Sequence, residues 1–481
     1  MFAYSSHKRL RYPSPKSPSP GRGLTGTANV LRWTLLLIMA TGCTRFLTVQ
    51  PQGEVLPRTD EEFASIMHNR IKDIEGGGDP YVLGNMETVA LFEGCADDLD
   101  ANIRVGDGLV SYAGETINTR MSDYRSCFEI IRDCNIVIGN LEGRSTPTAR
   151  GALGAAYAMK GILYYNLLRE FAGPYNPEDA SSTPGIPIVE QFDIDDMPVR
   201  ASLKETAEYS RDLLGKAIPL TSGDRLWFFT TTLVKAYQAR LAFWCEDWDT
   251  AAAIAEDIID HSGLVLTPSD GYKAMLDAAA PTGEVIAKTH INNSSELDWY
   301  FSYMKGYIAS RPVCAALARL YGPGDIRLAT SFNAKRLNIK APERRVRLSE
   351  MYLIAAESEY HRGHPDIALG YLNDLRSARI EGVVSLTETT LPPVRDGERI
   401  TEDAAGKAVT PLLQAIFDER RKELYMEGDR FFELKRNGRP EWWVISNGLK
   451  YTTKKYLYTA PIYKQDCELN PDLQQNPGYE D

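Results

Sequence analysis

The stretch FDERRKELYMEGDRFFELKRNG, residues 417–438, sets Glu419, Glu423 and Glu427 four residues apart among Arg420, Arg421, Lys422, Arg430, Lys435 and Arg436. On one helical face bare carboxylates at that spacing repel by roughly a few tenths of a kcal/mol per pair, so they need cations nearby. Three chemistries suit the pattern: acid/base work by paired carboxylates, metal ligation, or a lattice of ion pairs. A second set of residues suits binding. In the segment 288–312, Asn293, Asp298, Trp299, Tyr300 and Tyr303 lie close together, and in the segment 74–115, Tyr81, Asn102, Arg104 and Tyr112 mix rings with polar groups. A sugar has apolar ring faces and a rim of hydroxyls, which aromatic platforms flanked by a few donors and acceptors match.

Other clusters carry less. GxSxG, HExxH and P-loop patterns are absent from the sequence, and His361 and His364 in HRGHP fit a helical turn rather than a metal pair. Asp97, Asp98 and Asp100 lack the glycine and distal glutamate of a calcium loop. They and Asp193, Asp195 and Asp196 read as solvated or helix-capping carboxylates, with a structural Ca2+ as the lesser alternative and no other metal or cofactor expected. Trp227, Trp442 and Trp443 read as core.

The elements that must position these residues are helical. GALGAAYAMKGILYYNLLREFAG puts Ala155, Met159, Leu163, Leu167 and Phe171 on one stripe before Gly173 and Pro174. Two further stretches, 231–263 and 347–382, each read as a helical hairpin, turning at Glu246-Asp247 and at Gly363-His364 with Pro365 opening the next helix. Their length, about 33 to 36 residues with small residues at the close approaches, is that of tetratricopeptide units. The fold class expected is mostly α: tetratricopeptide-like helical hairpins as a scaffold, long irregular loops, and few short strands. Loops as long as 74–115 and 288–312, without a helical stripe, usually carry function.

Composition narrows the partners. With 43% apolar and 10% aromatic residues, 25 of them Tyr, the chain buries a large core. Its 54 Lys and Arg face 65 Asp and Glu; the first 42 residues hold Lys8, Arg9, Arg11, Lys16, Arg22 and Arg32 and no acid, so beyond them the negative excess deepens from 11 to about 17. That balance disfavours nucleic acid. LRWTLLLIMATGC has the positive flank, short apolar run and small residues of a signal peptide, too short to span a bilayer. Residues 1–42 therefore read as signal, with Cys43 as a lipidated first residue of the lipoprotein type. The other six cysteines form no CxxC pair and read as free thiols.

The order of several segments is informative. FLTVQPQGEVLPRTDEEF, DYRSCFEIIRDCNIVIGNL, LYYNLLREFAGPYN followed by GIPIV, RLSEMYLIAAE with ALGYLNDLR, DERRKELYMEGDRFFELKR and NPDLQQNPGY succeed one another along the chain. In that order and spacing the chain resembles the SusD/RagB family, surface lipoproteins of Bacteroidetes that capture nutrients for a TonB-dependent transporter. The first long loop holds no Trp, unlike the aromatic arc of starch-binding members.

The resemblance implies a lipid tether at 43–60 and one SusD-like domain over 61–481, with the ligand loops in 61–330 and the RagB/SusD part in 331–481. It implies a non-catalytic protein at the outer face of the outer membrane, anchored through Cys43, that passes oligosaccharides to a SusC-like TonB-dependent transporter. Peptide capture is the variant within the family, and a secreted helical glycoside hydrolase is the rival outside it. It also makes 417–438 scaffold, an ion-pair lattice rather than an active site.

Overall fold

The structure is a computed structural model that describes residues 57–479 apart from 101–111, 115–116, 118–119, 192, 194, 222, 224, 290–301, 303–305, 307, 310 and 447. Residues from Arg58 onward form one compact unit. Its principal helices are α1 (Asp60–Glu75), α2 (Met86–Cys95), α3 (Met121–Leu141), α4 (Pro147–Phe171), α5 (Leu203–Ala217), α6 (Thr231–Trp244), α7 (Trp248–His261), α8 (Ser269–Asp277), α9 (Leu348–His361), α10 (Pro365–Arg379), α11 (Pro411–Glu423), α12 (Arg430–Arg436) and α13 (Lys464–Leu469). Among the described residues strands come only as short antiparallel pairs: β1 (Pro184–Pro187) with β2 (Arg200–Ser202), β3 (Val285–Lys288) with β4 (Arg345–Arg347), and β5 (Trp442–Ser446) with β6 (Leu449–Thr453). The mostly α architecture with few short strands is the expected one.

Sequence-neighbouring helices pack as antiparallel hairpins, α3 on α4, α6 on α7 and α9 on α10, and α4 on α5, α5 on α6 and α7 on α9 link the hairpins into one stack. The expected turns are present. Asp247 caps α7 through a hydrogen bond from the Thr250 amide after Glu246 takes φ 57°, and Gly363 takes φ 81° before Pro365. The helix α4 departs from its expected single stripe. Almost all its residues from Gly151 to Phe171 are buried, including Lys160, Arg169 and Glu170, because α1, α3, α5 and α6 surround it. Gly161 makes one such approach possible, since a Cβ there would meet Leu214 of α5 at 2.8 Å.

Two other expectations are corrected. The segment 74–115 contains a helix, α2, whose residues Met86, Val89, Ala90, Phe92 and Cys95 are buried; being apolar nearly all round, it shows no stripe in the sequence. And 417–438 is not one helix. The helix α11 stops at Glu423, Met426 (φ 61°) and Gly428 (φ 75°) turn the chain, and α12 restarts at Arg430. A Cβ at Gly428 would lie 3.2 Å from the Arg344 Nη2 and still require a left-handed backbone.

The carboxylates of this stretch are spent on ion pairs. Glu423, fully buried, accepts from Arg347 Nη1 at 2.5 Å, Arg379 Nε at 3.0 Å and Arg327 Nη1 at 3.0 Å. Glu284 takes the other side of two of these cations, from Arg347 Nη1 at 3.1 Å and Arg379 Nη2 at 2.6 Å. Glu427 accepts from Arg347 Nη2 at 2.8 Å and Lys340 Nζ at 3.2 Å, and Glu419 pairs with Arg327 at 2.6 Å and Lys422 at 3.0 Å. Burial desolvates Glu423, yet the guanidiniums of Arg379, Arg347 and Arg327 outweigh that and hold its carboxyl well below the ordinary range. The lattice expected of 417–438 is therefore what the structure contains.

The six cysteines within the described residues are free, four of them buried, and His361 is stacked on Trp248 at 4.1 Å while His364 pairs with Glu359 at 2.6 Å.

Removing one partner of a buried ion network costs about 3–5 kcal/mol because it strands the remaining charges. Glu423→Gln is thus expected to lower the urea midpoint sharply, whereas Lys204→Gln, at the exposed Lys204–Glu208 pair, leaves it near wild type; equal midpoints would remove Glu423 from the centre of the lattice. Glu93 titrates in the opposite sense. Burial first, then the charge of Asp98, pushes it up to about 8 against the Gly428 amide that donates to its Oε1 at 2.8 Å. Between the unfolded value and about 8 the native state keeps a proton that the unfolded chain has lost, so Glu93 makes stability fall as pH rises through that window. Melting at pH 6.5 and 8.0 is expected to show a smaller pH effect in Glu93→Gln than in wild type, and an equal effect would count against that assignment.

Candidate functional site

A cleft of about 670 Å³ lies where the two long segments leave the scaffold. One wall is the chain from Asp97 to Asp100, which follows α2 and leads into residues 101–111. Another is the chain from Pro312 to Ala316, which follows the segment 288–311. The two are tied to each other. The Asp100 amide donates to the Pro312 carbonyl at 2.8 Å, Leu99 bridges Val313, and the Cys314 amide donates to the Asp98 carbonyl at 2.8 Å. Arg336 clamps the junction from below, donating to Asp100 Oδ2 at 2.9 Å and the Val313 carbonyl at 2.5 Å. The chain leading into 101–111 and the chain following 288–311 are thus joined at one place.

The third wall is the β5–β6 hairpin. Strand alternation turns the consecutive Trp442 and Trp443 to opposite faces: Trp442 is 4% exposed, Trp443 54% and Ile445 59%. Trp442 is core as expected; Trp443 is not, and its exposure corrects that reading. Trp227 is half-buried, stacked on His68 at 4.3 Å. The Lys450 ammonium sits 5.0 Å above the Trp443 ring and the Arg399 guanidinium 5.0 Å from that of Trp442, which places cations beside the aromatic surface.

The cleft floor is charged and held by ion pairs. Asp97 accepts from Arg430 at 2.8 and 3.1 Å and lies 3.5 Å from Arg421, and Asp98 accepts from Arg421 Nε at 2.6 Å. Asp98 is buried and the Asp97 side chain is only 5% exposed, so the expectation that they are solvated or helix-capping is overturned: α11 and α12 supply their cations. Against the desolvation of burial, Arg421 and Arg430 hold Asp97 far below its ordinary value. Asp100 pairs with Arg336, and Glu398 with Arg395 at 2.8 Å. Of these carboxylates Asp97, Asp100 and Glu398 line the cleft as oriented acceptors already engaged by guanidiniums; that arrangement suits hydrogen bonding to a polar ligand rather than proton transfer.

Of the candidate binding residues, Tyr112 lies at this hairpin, its ring 5.2 Å from Tyr451, with the next amide, Ala113, donating to Thr453 Oγ1 at 2.9 Å. Tyr81 stands apart, half-buried against the core, where its carbonyl accepts from Asn166 Nδ2 at 2.9 Å. Cys43, Asn102, Arg104, Asn293, Asp298, Trp299, Tyr300 and Tyr303 lie outside the described residues. The residues missed from sequence are Trp443, Lys450 and Arg399. The signal for the first was available: WWVIS followed by LKYTT, with a turn between, is a hairpin pattern in which adjacent tryptophans must face opposite ways.

With the geometry in hand, the comparisons are specific. Residues 327–479 match the SusD family model. A putative sugar binding protein from Bacteroides vulgatus ATCC 8482 is similar in fold with TM-score 0.68 at 22% identity, covering 89% of this chain and 100% of that one. A SusD superfamily protein from Bacteroides thetaiotaomicron VPI-5482 gives TM-score 0.64 at 21% identity, over 87% of this chain and 100% of that one. A laminarin binding SusD-like protein gives 0.59 at 17% identity, over 87% and 99%. No curated protein matches the chain in sequence.

Proposed function

We propose that the chain, whose residues 327–479 match the SusD family model and whose fold resembles that of solved SusD superfamily proteins, is a member of the SusD/RagB family: a non-catalytic binding protein for oligosaccharide nutrients, held at the outer membrane surface by lipid on Cys43 and serving a SusC-like TonB-dependent transporter. In this reading residues 1–42 are removed, 43–60 are the tether, and 61–481 form the binding domain. The observation that carries it is the exposed Trp443 at the mouth of the cleft, with Lys450 beside its ring and the anchored ends of both long segments opposite. A flat ring with polar groups at its edge is the surface that a sugar face and its hydroxyls engage. The solved relatives described as sugar binding and laminarin binding make glycans the first ligands to try. Asn293, Asp298, Trp299, Tyr300 and Tyr303, outside the described residues, remain proposed ligand contacts from their chemistry alone. Among the described residues no helix is long and apolar enough to cross a membrane; in this proposal the lipid on Cys43 is the attachment.

Isothermal titration of the lipid-free protein against a panel of oligosaccharides, β-glucans included, and a peptide mixture tests the function. Saturable heat with at least one glycan is expected, weakened about tenfold or more, some 1.4 kcal/mol, by Trp443→Ala with melting unchanged. Heat from peptides alone would move the protein to peptide capture, and release of shorter sugars on incubation would make it a hydrolase. For the anchor, Cys43→Ser is expected to shift the protein from the membrane to the soluble fraction in cells; retention in the membrane would overturn lipidation at that residue.

A further inference from the structure

Behind α11 and α12 lies a second, much smaller cavity of about 40 Å³, bordered by α4, α6, β4 and α9. Its lining is unusual in sign. Every carboxylate that faces it is already held by a cation: Glu350 by Arg240 at 2.6 and 2.8 Å, Asp429 by Arg420 at 2.6 and 2.7 Å, Glu427 by Arg347 and Lys340, and Glu433 by Arg430 at 2.7 Å. Two further guanidiniums on the same wall, those of Arg169 and Arg344, pair with no carboxylate among the described residues. Arg169 rests on the Phe432 ring at 3.8 Å and donates to the Tyr165 hydroxyl at 3.2 Å. Arg344 is 6% exposed and Arg169 9%.

The unmet hydrogen-bonding capacity of the lining has the matching polarity. Buried donors of the lining with no acceptor among the described residues are Arg169 Nε, Arg344 Nε, Arg345 Nε and Nη1, Trp244 Nε1, Arg420 Nη1 and Arg436 Nη1; the one unmet acceptor there is Glu433 Oε1. Each water placed here brings two more donors to a lining that already has an excess of them and one free acceptor. A monatomic anion accepts from several donors at once and needs no acceptor. It also neutralises charge that is costly to bury alone. A water-sized particle occupies about 10–15 Å³ in this measure, so the cavity of about 40 Å³ holds such an ion with one or two waters beside it and excludes a sugar acid. Burial first, then the positive charges of Arg169 and Arg240, depresses the Arg344 guanidinium, the direction that a nearby anion reverses.

We propose that this cavity is a structural anion site that takes a halide, chloride under ordinary conditions, between Arg169 of α4 and Arg344 before β4. The ion closes the charge of the lattice where α12 docks on the helical stack, and it is independent of the sugar cleft.

Crystals soaked in sodium bromide are expected to show an anomalous bromine peak in the cavity, within hydrogen-bond reach of Arg344 and Arg169; no peak there overturns the proposal. In solution, melting of the wild-type protein in sodium chloride is expected to exceed that in sodium gluconate at equal ionic strength, since gluconate is too large to enter, with a rise of several degrees that saturates with chloride. Arg344→Met is expected to melt alike in the two salts. If the bromide peak is present but chloride leaves wild-type melting unmoved at 0.15 M, binding occurs at crystal concentration only and the proposal fails; should Arg344→Met not fold, the wild-type pair of measurements decides.

Discussion

Everything positioned in this molecule hangs on a carboxylate surrounded by three guanidiniums. Glu423 ends α11, and its partners arrive from separate places: Arg327 from a turn, Arg347 from β4, Arg379 from the end of α10. With Glu284 shared by two of the same cations, one buried point fixes the directions of four chain segments. Apolar packing could join those segments with equal stability, since desolvation consumes much of the Coulomb gain. What ion pairs add is selectivity of arrangement, because a slip of any member leaves a bare charge in the interior.

The lattice also reaches the binding cleft. Arg421 and Arg430 belong to the same short run of sequence as Glu423 and hold Asp98 and Asp97, so the chain that leaves α2 is fixed by the same elements that close the scaffold. Glu93, on α2, receives the Gly428 amide from the turn between α11 and α12. Scaffold and cleft floor are therefore one electrostatic object, and the acid-rich composition of the chain conceals an interior in which cations dominate locally.

The helical hairpins were legible in the sequence because Gly363, Pro365 and the Glu246-Asp247 turn punctuate runs whose apolar residues recur at helical spacing. The helix α2 was not, because Met86, Val89, Phe92 and their neighbours are covered on all sides, and a helix buried all round has no stripe to read. The even spacing of Glu419, Glu423 and Glu427 suggested one helix through 417–438; the left-handed Met426 and Gly428 break it, yet Glu427 still returns to the cluster. That these carboxylates sit in a lattice followed from their number and the family resemblance, but their partners Glu284, Arg327, Arg347 and Arg379 are remote in sequence and invisible to local spacing. At the cleft, the adjacent tryptophans looked alike as residues and differ only through the pleat of β5, which composition does not encode.

The knot between Asp100–Pro312 and Leu99–Val313 has a consequence for how such proteins diversify. It fastens the exits of two long segments to each other and to Arg336, independently of what lies between those exits and the next anchored residues. Lengthening a loop whose ends are already fixed costs only about 0.6 kcal/mol per doubling. Sequence beyond the knot is thus free to drift or be exchanged as a cassette while the frame beneath stays constant, and a lineage can retune what it recognises by recombination at two short stretches without re-evolving a fold.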